Sequence, residues 1–224
     1  MSSLLRKSIP PGVVAACFTA CKDSRLLDSM SSQSEATRTR ILAAARRLLE
    51  ERGYHGVGLE EIAVEAGVSR QAVYLHFGSK SGLLVGLVEW VDRAQRLSDG
   101  LAQVCSAKSG VEALERAIDQ TADYEPQIHR LAMVLAAARR TDPAAEDAWQ
   151  NRMGERRRIF RRIAEWIQSD RMLAPGWNVG AAADLMWAVT APSTYDDLVI
   201  DHGWSPRRWA QHTKRLLIDA LARS

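Results

Sequence analysis

The sequence predicts an all-α protein in which a small N-terminal three-helix unit precedes a larger helical domain, about nine or ten helices in all. Three observations carry this. Apolar residues recur at the 3.6-residue period from Ile41 to Leu221. No alternating run of strand length interrupts them. Glycines, prolines and small polar residues fall where such helices must start and stop. With 46% apolar and 25% charged residues, the 224-residue chain has the composition of a folded protein of one large or two modest domains, and a fibrous or disordered chain is excluded. Cys17, Cys21 and Cys105 are an odd, sparse set that argues against a disulfide framework and fits a reducing compartment. No apolar run reaches the roughly 18–20 residues of a membrane span, so a cytoplasmic protein is expected.

The first residues read differently from the rest. Arg6 and Lys7 precede an apolar stretch from Gly12 to Ala20, and Val14-Ala15-Ala16-Cys17 has the look of a lipoprotein cleavage box. Pro10 and Pro11 interrupt a region that is already too short for an export signal. Residues 1–32 are therefore expected to be a disordered tail, or an extension ahead of a start at Met30.

From Ser34 the pattern is helical. Ile41, Ala44, Ala45 and Leu48 share one face, Ser34 suits an N-cap and Gly53 a helix end, which predicts a helix over Glu35–Arg52. A second covers Leu59–Ala66, with Leu59, Ile62, Ala63 and Ala66 inward and Glu60, Glu61 and Glu65 outward. Gly67 ends it, Ser69 caps a third, and a fourth opens near Ser79 and runs through Leu83, Leu84, Leu87 and Val91. Two short helices joined by a tight glycine-containing turn, behind a supporting helix, form a helix-turn-helix over residues 33–80.

The string Gly53-Tyr54, Ile62-Ala63, Ala66-Gly67-Val68-Ser69, Tyr74-Leu75-His76-Phe77, Ser79-Lys80 and Leu83-Leu84 resembles, in register, the DNA-binding domain of the TetR family of bacterial regulators. Gly58 departs from the family pattern, which usually has Thr or Ser there to cap the second helix and touch a phosphate. Gly caps nearly as well but supplies no hydroxyl. The resemblance makes Ser69, Arg70 and Gln71 the base-facing start of a recognition helix. Arg can pair with guanine O6/N7 and Gln with adenine N6/N7. It also assigns Tyr74, His76 and Lys80 to the sugar-phosphate backbone. Without that frame, Arg70-Gln71 is an ordinary solvated helix start, Tyr74 a packing residue and His76 structural.

Between Ser31 and Trp90 seven basic residues face seven acidic ones, although the whole chain carries +3. One copy should therefore hold DNA weakly. A homodimer on a palindromic operator, with half-sites about 34–36 Å apart, would repair this.

Residues 81–224 read as a helical effector-binding and dimerisation domain. Val111, Leu114, Ile118 and Ala122 mark one helix ahead of Pro126, and Ile128, Leu131, Ala132 and Leu135 another behind it. Asp142-Pro143 opens a long helix to about Gln168, Pro192 breaks the chain after Ala182–Ala191, and Ser205-Pro206 opens the last helix. The resemblance places a dimeric four-helix bundle at Val179–Ile200 and Ser205–Ala222, and an effector cavity among the middle helices.

With seven tryptophans against three phenylalanines, Trp90, Tyr124, Trp149, Trp166 and Trp187 are candidates to line a pocket for an apolar or aromatic molecule; the alternative is core filling. The arginines from Arg152 to Arg162 are either an anion-attracting patch or a solvated face.

No metal, cofactor or catalytic motif emerges. Cys17 and Cys21 lack a histidine partner, and the five histidines lack zinc-ligand spacing. Asp196-Asp197 and His202-Gly203 form no nucleophile or phosphate motif. The expected function is a non-enzymatic, ligand-responsive repressor. The alternatives are an activator of the same fold, or a helical binding protein whose DNA head is degenerate.

Overall fold

The computed structural model describes residues 28–94 and 97–223, and the expectations for residues 1–27, including Cys17 and Cys21, lie outside them. The chain divides into two compact units, Met1–Thr39 and Arg40–Ser224. Ten α-helices occur among the described residues, with no β-strand. They are α1 (Asp28–Arg52), α2 (Leu59–Ala66), α3 (Arg70–Phe77), α4 (Lys80–Ala94) and α5 (Leu97–Cys105), then α6 (Gly110–Ala138), α7 (Pro143–Ser169), α8 (Val179–Val189), α9 (Pro192–Tyr195) and α10 (Pro206–Leu221). A π-helical turn, Asp196–Asp201, follows α9.

Most helix boundaries follow the capping residues. Ser69 Oγ accepts from the Ala72 amide at 3.1 Å, Ser79 Oγ from Gly82 at 2.9 Å and Ser205 Oγ from Arg208 at 3.1 Å. Asp142 Oδ1 accepts from Ala144 at 3.0 Å, ahead of Pro143 in the first turn of α7. Gly67 makes the α2–α3 turn in the left-handed region at φ +63°, a conformation open to glycine at little cost, and its amide and that of Val68 close on Val64 and Ala63 carbonyls.

Two boundaries differ from the sequence reading. The first helix begins at Asp28, ahead of the expected cap at Ser34. Pro126 does not divide two helices: α6 runs through it for 29 residues. A proline inside a helix forfeits one hydrogen bond and crowds the preceding turn. Here Pro126 lies on an exposed face, while Ala122, Glu125, Ile128 and His129 are buried on either side and hold the axis.

Helix α6 serves two cores. Its C-terminal half, with Ile128, Leu131, Leu135 and Ala138, packs with α1–α4, where Ile41, Ile62, Val73 and Leu84 are wholly buried. Its N-terminal half, with Leu114 and Ile118, packs with Phe160 and Ile163 of α7, Met186 of α8 and Trp209 of α10. Pro126 sits at the change-over.

Candidate functional site

The reading head is built outward from Val73, whose complete burial anchors α3 on one side. Arg70, Gln71, Tyr74 and Leu75 are exposed on the other, and His76 is half-buried with its ring 6.1 Å from that of Phe77. Ser69 is also exposed, but its hydroxyl is engaged as the cap. The guanidinium of Arg70 is held along the helix. Its Nη2 donates to Tyr74 Oη at 3.3 Å, it lies 5.5 Å from that ring's centroid, and Glu60 is 3.6 Å away. Such exposed contacts are weak and exchangeable. Leu75, 84% exposed, was not expected among the contacts. An apolar side chain so placed is suited to a thymine methyl.

Lys80 is placed differently from the expectation. Its ammonium donates to the Tyr54 carbonyl and sits 4.3 Å from that ring's centroid, and desolvation lowers its pKa. It braces the loop between α1 and α2. At Gly58 the cap is completed from the other end: the Glu61 carboxylate accepts the Gly58 amide at 2.8 Å and a bond from Arg52 Nη1 at 2.8 Å. The Gly58 amide, then Arg52, hold the Glu61 pKa down. Arg47 pairs with Glu65 and Arg46 with Glu50, so the zero charge sum of the head is realised as local ion pairs.

Three polar links tie the head to the helices behind it. The buried Tyr54 donates its hydroxyl to Asp142 Oδ2 at 2.6 Å, the same carboxylate that caps α7. Burial, then the Asp142 charge, raise the Tyr54 pKa, while the Tyr54 hydroxyl lowers that of Asp142. His55 Nε2 and Thr141 Oγ1 are 3.2 Å apart, and Arg46 Nη2 donates to the Gln127 carbonyl at 2.7 Å, one residue past Pro126.

Helices α4, α6 and α7 line a partly open cavity of about 430 Å³, whose mainly apolar walls include Val85, Val88, Ile128, Leu135, Met153 and Phe160, with Gln120, Thr121 and Asn151 among the polar lining residues. Of the five aromatic residues offered for a pocket, Tyr124 lines it. Trp90 and Trp149 pack against the head's core, and Trp166 and Trp187 against the second core, with Trp187 Nε1 donating to the Met153 carbonyl at 3.2 Å.

The arginine run divides by face. Arg157, Arg158 and Arg161 are exposed and paired with Asp184, Glu155 and Glu165. Arg152 and Arg156 turn into the cavity. Arg152 grips Asp92 with both terminal nitrogens, at 2.8 and 3.1 Å, and also donates to Tyr124 Oη, which hydrogen-bonds Asp92. Burial opposes the charge on Arg152, but the Asp92 and Tyr124 contacts outweigh it and raise its pKa. Arg156 donates to the Thr190 hydroxyl and lies 5.5 Å from the Phe160 ring centroid; desolvation pulls its pKa down to about 10, so it stays charged at neutral pH. The signal for this division was present in the spacing: Arg152, Arg156 and the buried Phe160 are four apart, on one helix face.

Helix α3 and the apolar chamber rest on one core, and residues 41–87 match the family profile of bacterial regulatory proteins of the TetR type. The chain resembles the TetR family in this head. It is 27% identical over 164 residues to the transcriptional regulator CymR of Pseudomonas putida, covering 72% of this chain and 77% of that one. Two solved structures of bacterial regulators share its fold. The Pseudomonas aeruginosa repressor NalD superposes with a TM-score of 0.65 at 25% identity, over 86% of this chain and 98% of that one. The Bacillus subtilis regulator FadR, in complex with stearoyl-CoA, gives 0.68 at 22% identity, over 81% and 98%. Among the described residues, no group of three or more potential ligands could hold a metal ion, and no helix is long and apolar enough to cross a membrane.

Proposed function

We propose that this chain is a cytoplasmic, non-enzymatic repressor of the TetR type, released from a palindromic operator when a small molecule enters the 430 Å³ cavity. One observation carries the reading. Val88, Ile128 and Leu135 line the cavity and also belong to the core on which the recognition helix is mounted. A ligand that displaces these side chains cannot leave the head's support unchanged, because packed interiors do not absorb such shifts locally. The bonds from Tyr54 to Asp142 and from Arg46 to Gln127 carry any movement of α6 and α7 to the loop behind α2 and to α1.

In this reading residues 33–80 form the DNA-binding unit and residues 81–224 the effector and dimer unit. Arg70 and Gln71 read base edges, and Leu75 meets a thymine methyl. Tyr74 and His76 meet the sugar-phosphate backbone together with the amide-rich start of α3 at Ser69, and Lys80 acts by holding the Tyr54 loop. Arg70 must leave Tyr74 and Glu60 to reach a base, an exchange between exposed partners. The dimer forms over α8 and α10 and the π turn, where Leu216 is 57% and Ile200 58% exposed.

The test is a gel shift of purified protein on the DNA upstream of its own gene, paired with a reporter driven by that DNA. A shifted palindromic site, with reporter output falling when the protein is expressed, is expected. Output that rises would make the protein an activator. No shift at low salt would leave only a helical binding protein with a silent head.

A further inference from the structure

The chamber borders two buried polar atoms that have no hydrogen-bond partner among the described residues, Arg156 Nη1 and Glu125 Oε2. Each neighbouring group is already engaged. Arg152 is held by Asp92 and Tyr124, and Arg156 Nη2 by the Thr190 hydroxyl. Glu125, 7% exposed, has Oε2 3.6 Å from His129 Nδ1, an ion-pair distance too long for a hydrogen bond. The other ring nitrogen of His129 is 2.6 Å from Asp196. Arg156 Nη1 is thus a spare donor, and Glu125 Oε2 an acceptor held only by a long ion pair to the likewise unmatched His129 Nδ1, in a chamber whose walls are mainly apolar. Buried polar groups are nearly always partnered, so two unmatched ones on residues that line one cavity point to a ligand with a matching polar group.

Resting on the ligand-responsive reading above, we infer that the cavity takes an uncharged, mainly apolar molecule carrying a hydroxyl group. Its oxygen accepts from Arg156 and its hydrogen goes to Glu125. A hydroxyl is the smallest group that is donor and acceptor at once. A carboxylate would satisfy Arg156 but bring a second negative charge beside Glu125, with Arg152 already committed to Asp92. An ammonium would satisfy Glu125 and be repelled by Arg156. A pure hydrocarbon would fill the walls and leave both atoms unmatched.

The discriminating experiment is calorimetric titration of the full-length protein, without DNA at pH 7, with 2-naphthol, 2-naphthoate and naphthalene. These three probes share one apolar body and differ in the polar group. 2-Naphthol is expected to bind at least tenfold more tightly than either of the others. In Glu125→Gln, which keeps shape and removes charge, 2-naphthoate should gain at least tenfold over the parent. In Arg156→Met the advantage of 2-naphthol over naphthalene should disappear, with melting curves confirming that both variants are folded. Equal or tighter binding of 2-naphthoate or naphthalene to the parent overturns the inference, as does no binding of 2-naphthol. Because DNA is absent, these outcomes are separate from the gel shift. Loss of the operator shift with the naphthol preference intact would overturn the repressor reading alone.

Discussion

The reading head and the chamber are built by different rules. In the head, the caps and the turn that shape the reading helix act within a few positions of themselves: Ser69 on Ala72, Gly67 on Val64, Glu61 on Gly58. In the chamber the partners are remote, as with Arg152 on Asp92, 60 residues away, and Arg156 on Thr190, 34 away. Head and chamber nevertheless share α4, α6 and α7. The lesson is that a domain drawn by motif is not a domain drawn by packing, and the predictions below separate the two.

The largest effect is expected where both regions use one side chain. Leu135 is 1% exposed, lines the cavity and sits in the head's core. Leu135→Ala should cost about 2–5 kcal/mol of stability, the usual toll of a buried leucine plus the hole it leaves. Urea unfolding should remain a single transition, with ligand and DNA affinities falling together. A split transition, or DNA binding left at the parent level, would show that head and chamber are separate after all.

Next is the polar joint. Tyr54→Phe removes a 2.6 Å bond to a carboxylate and should cost about 1.5–3 kcal/mol, the range for hydrogen bonds to charged groups. The sharper readout is coupling. If the joint transmits ligand binding, the operator affinities with and without ligand should draw together in Tyr54→Phe. The chamber counterpart, Tyr124→Phe, should change ligand affinity instead.

Substitutions confined to the reading surface should leave folding alone. Arg70→Ala is expected to relax sequence discrimination at a single operator position by about 1–3 kcal/mol, and Leu75→Ala by less at another, seen by competition with mutated sites. Lys80→Met tests the brace. A lost phosphate contact reduces the slope of log K against log salt by about one. A lost brace weakens binding with that slope unchanged, which is the outcome expected from the Tyr54 contact.

These contrasts also explain what could be read in advance. The all-α class, the α2–α3 turn at Gly67 and the caps Ser69, Asp142 and Ser205 were legible because each depends on a local backbone requirement. Pro126 misled because a local penalty was outweighed by burial on both sides of α6. The tryptophan count indicated large apolar surfaces, but nothing in it says which helix face a given ring occupies. Trp149 beside Arg139 and Trp204 beside Arg208 show rings used as platforms for cations outside the cavity. The i,i+4 spacing of Glu125 and His129 on α6 was in the sequence, but that Glu125 lines the chamber together with Arg156 of α7 depends on how the two helices pack, which no spacing along one of them encodes.

The smallest predicted effect lies at the seam. His129 of α6 has Nε2 2.6 Å from Asp196 of the π turn and Nδ1 3.6 Å from Glu125, with the Tyr195 ring centroid 5.3 Å away. Burial disfavours the imidazolium, but the two carboxylates prevail and the pKa is raised. The folded protein thus holds this proton more tightly than the unfolded chain, whose histidines titrate near about 6.5. The stabilisation is fully present below that pH and is lost as pH rises through the elevated folded value. His129→Gln should therefore lower the melting temperature most at about pH 5.5, below the unfolded value, with the gap to the parent narrowing in alkali. A gap that widened with pH would mean that the folded state prefers the neutral ring. Glu125 would then lack its neighbouring cation, and the balance of charge around the chamber's spare acceptor would have to be redrawn.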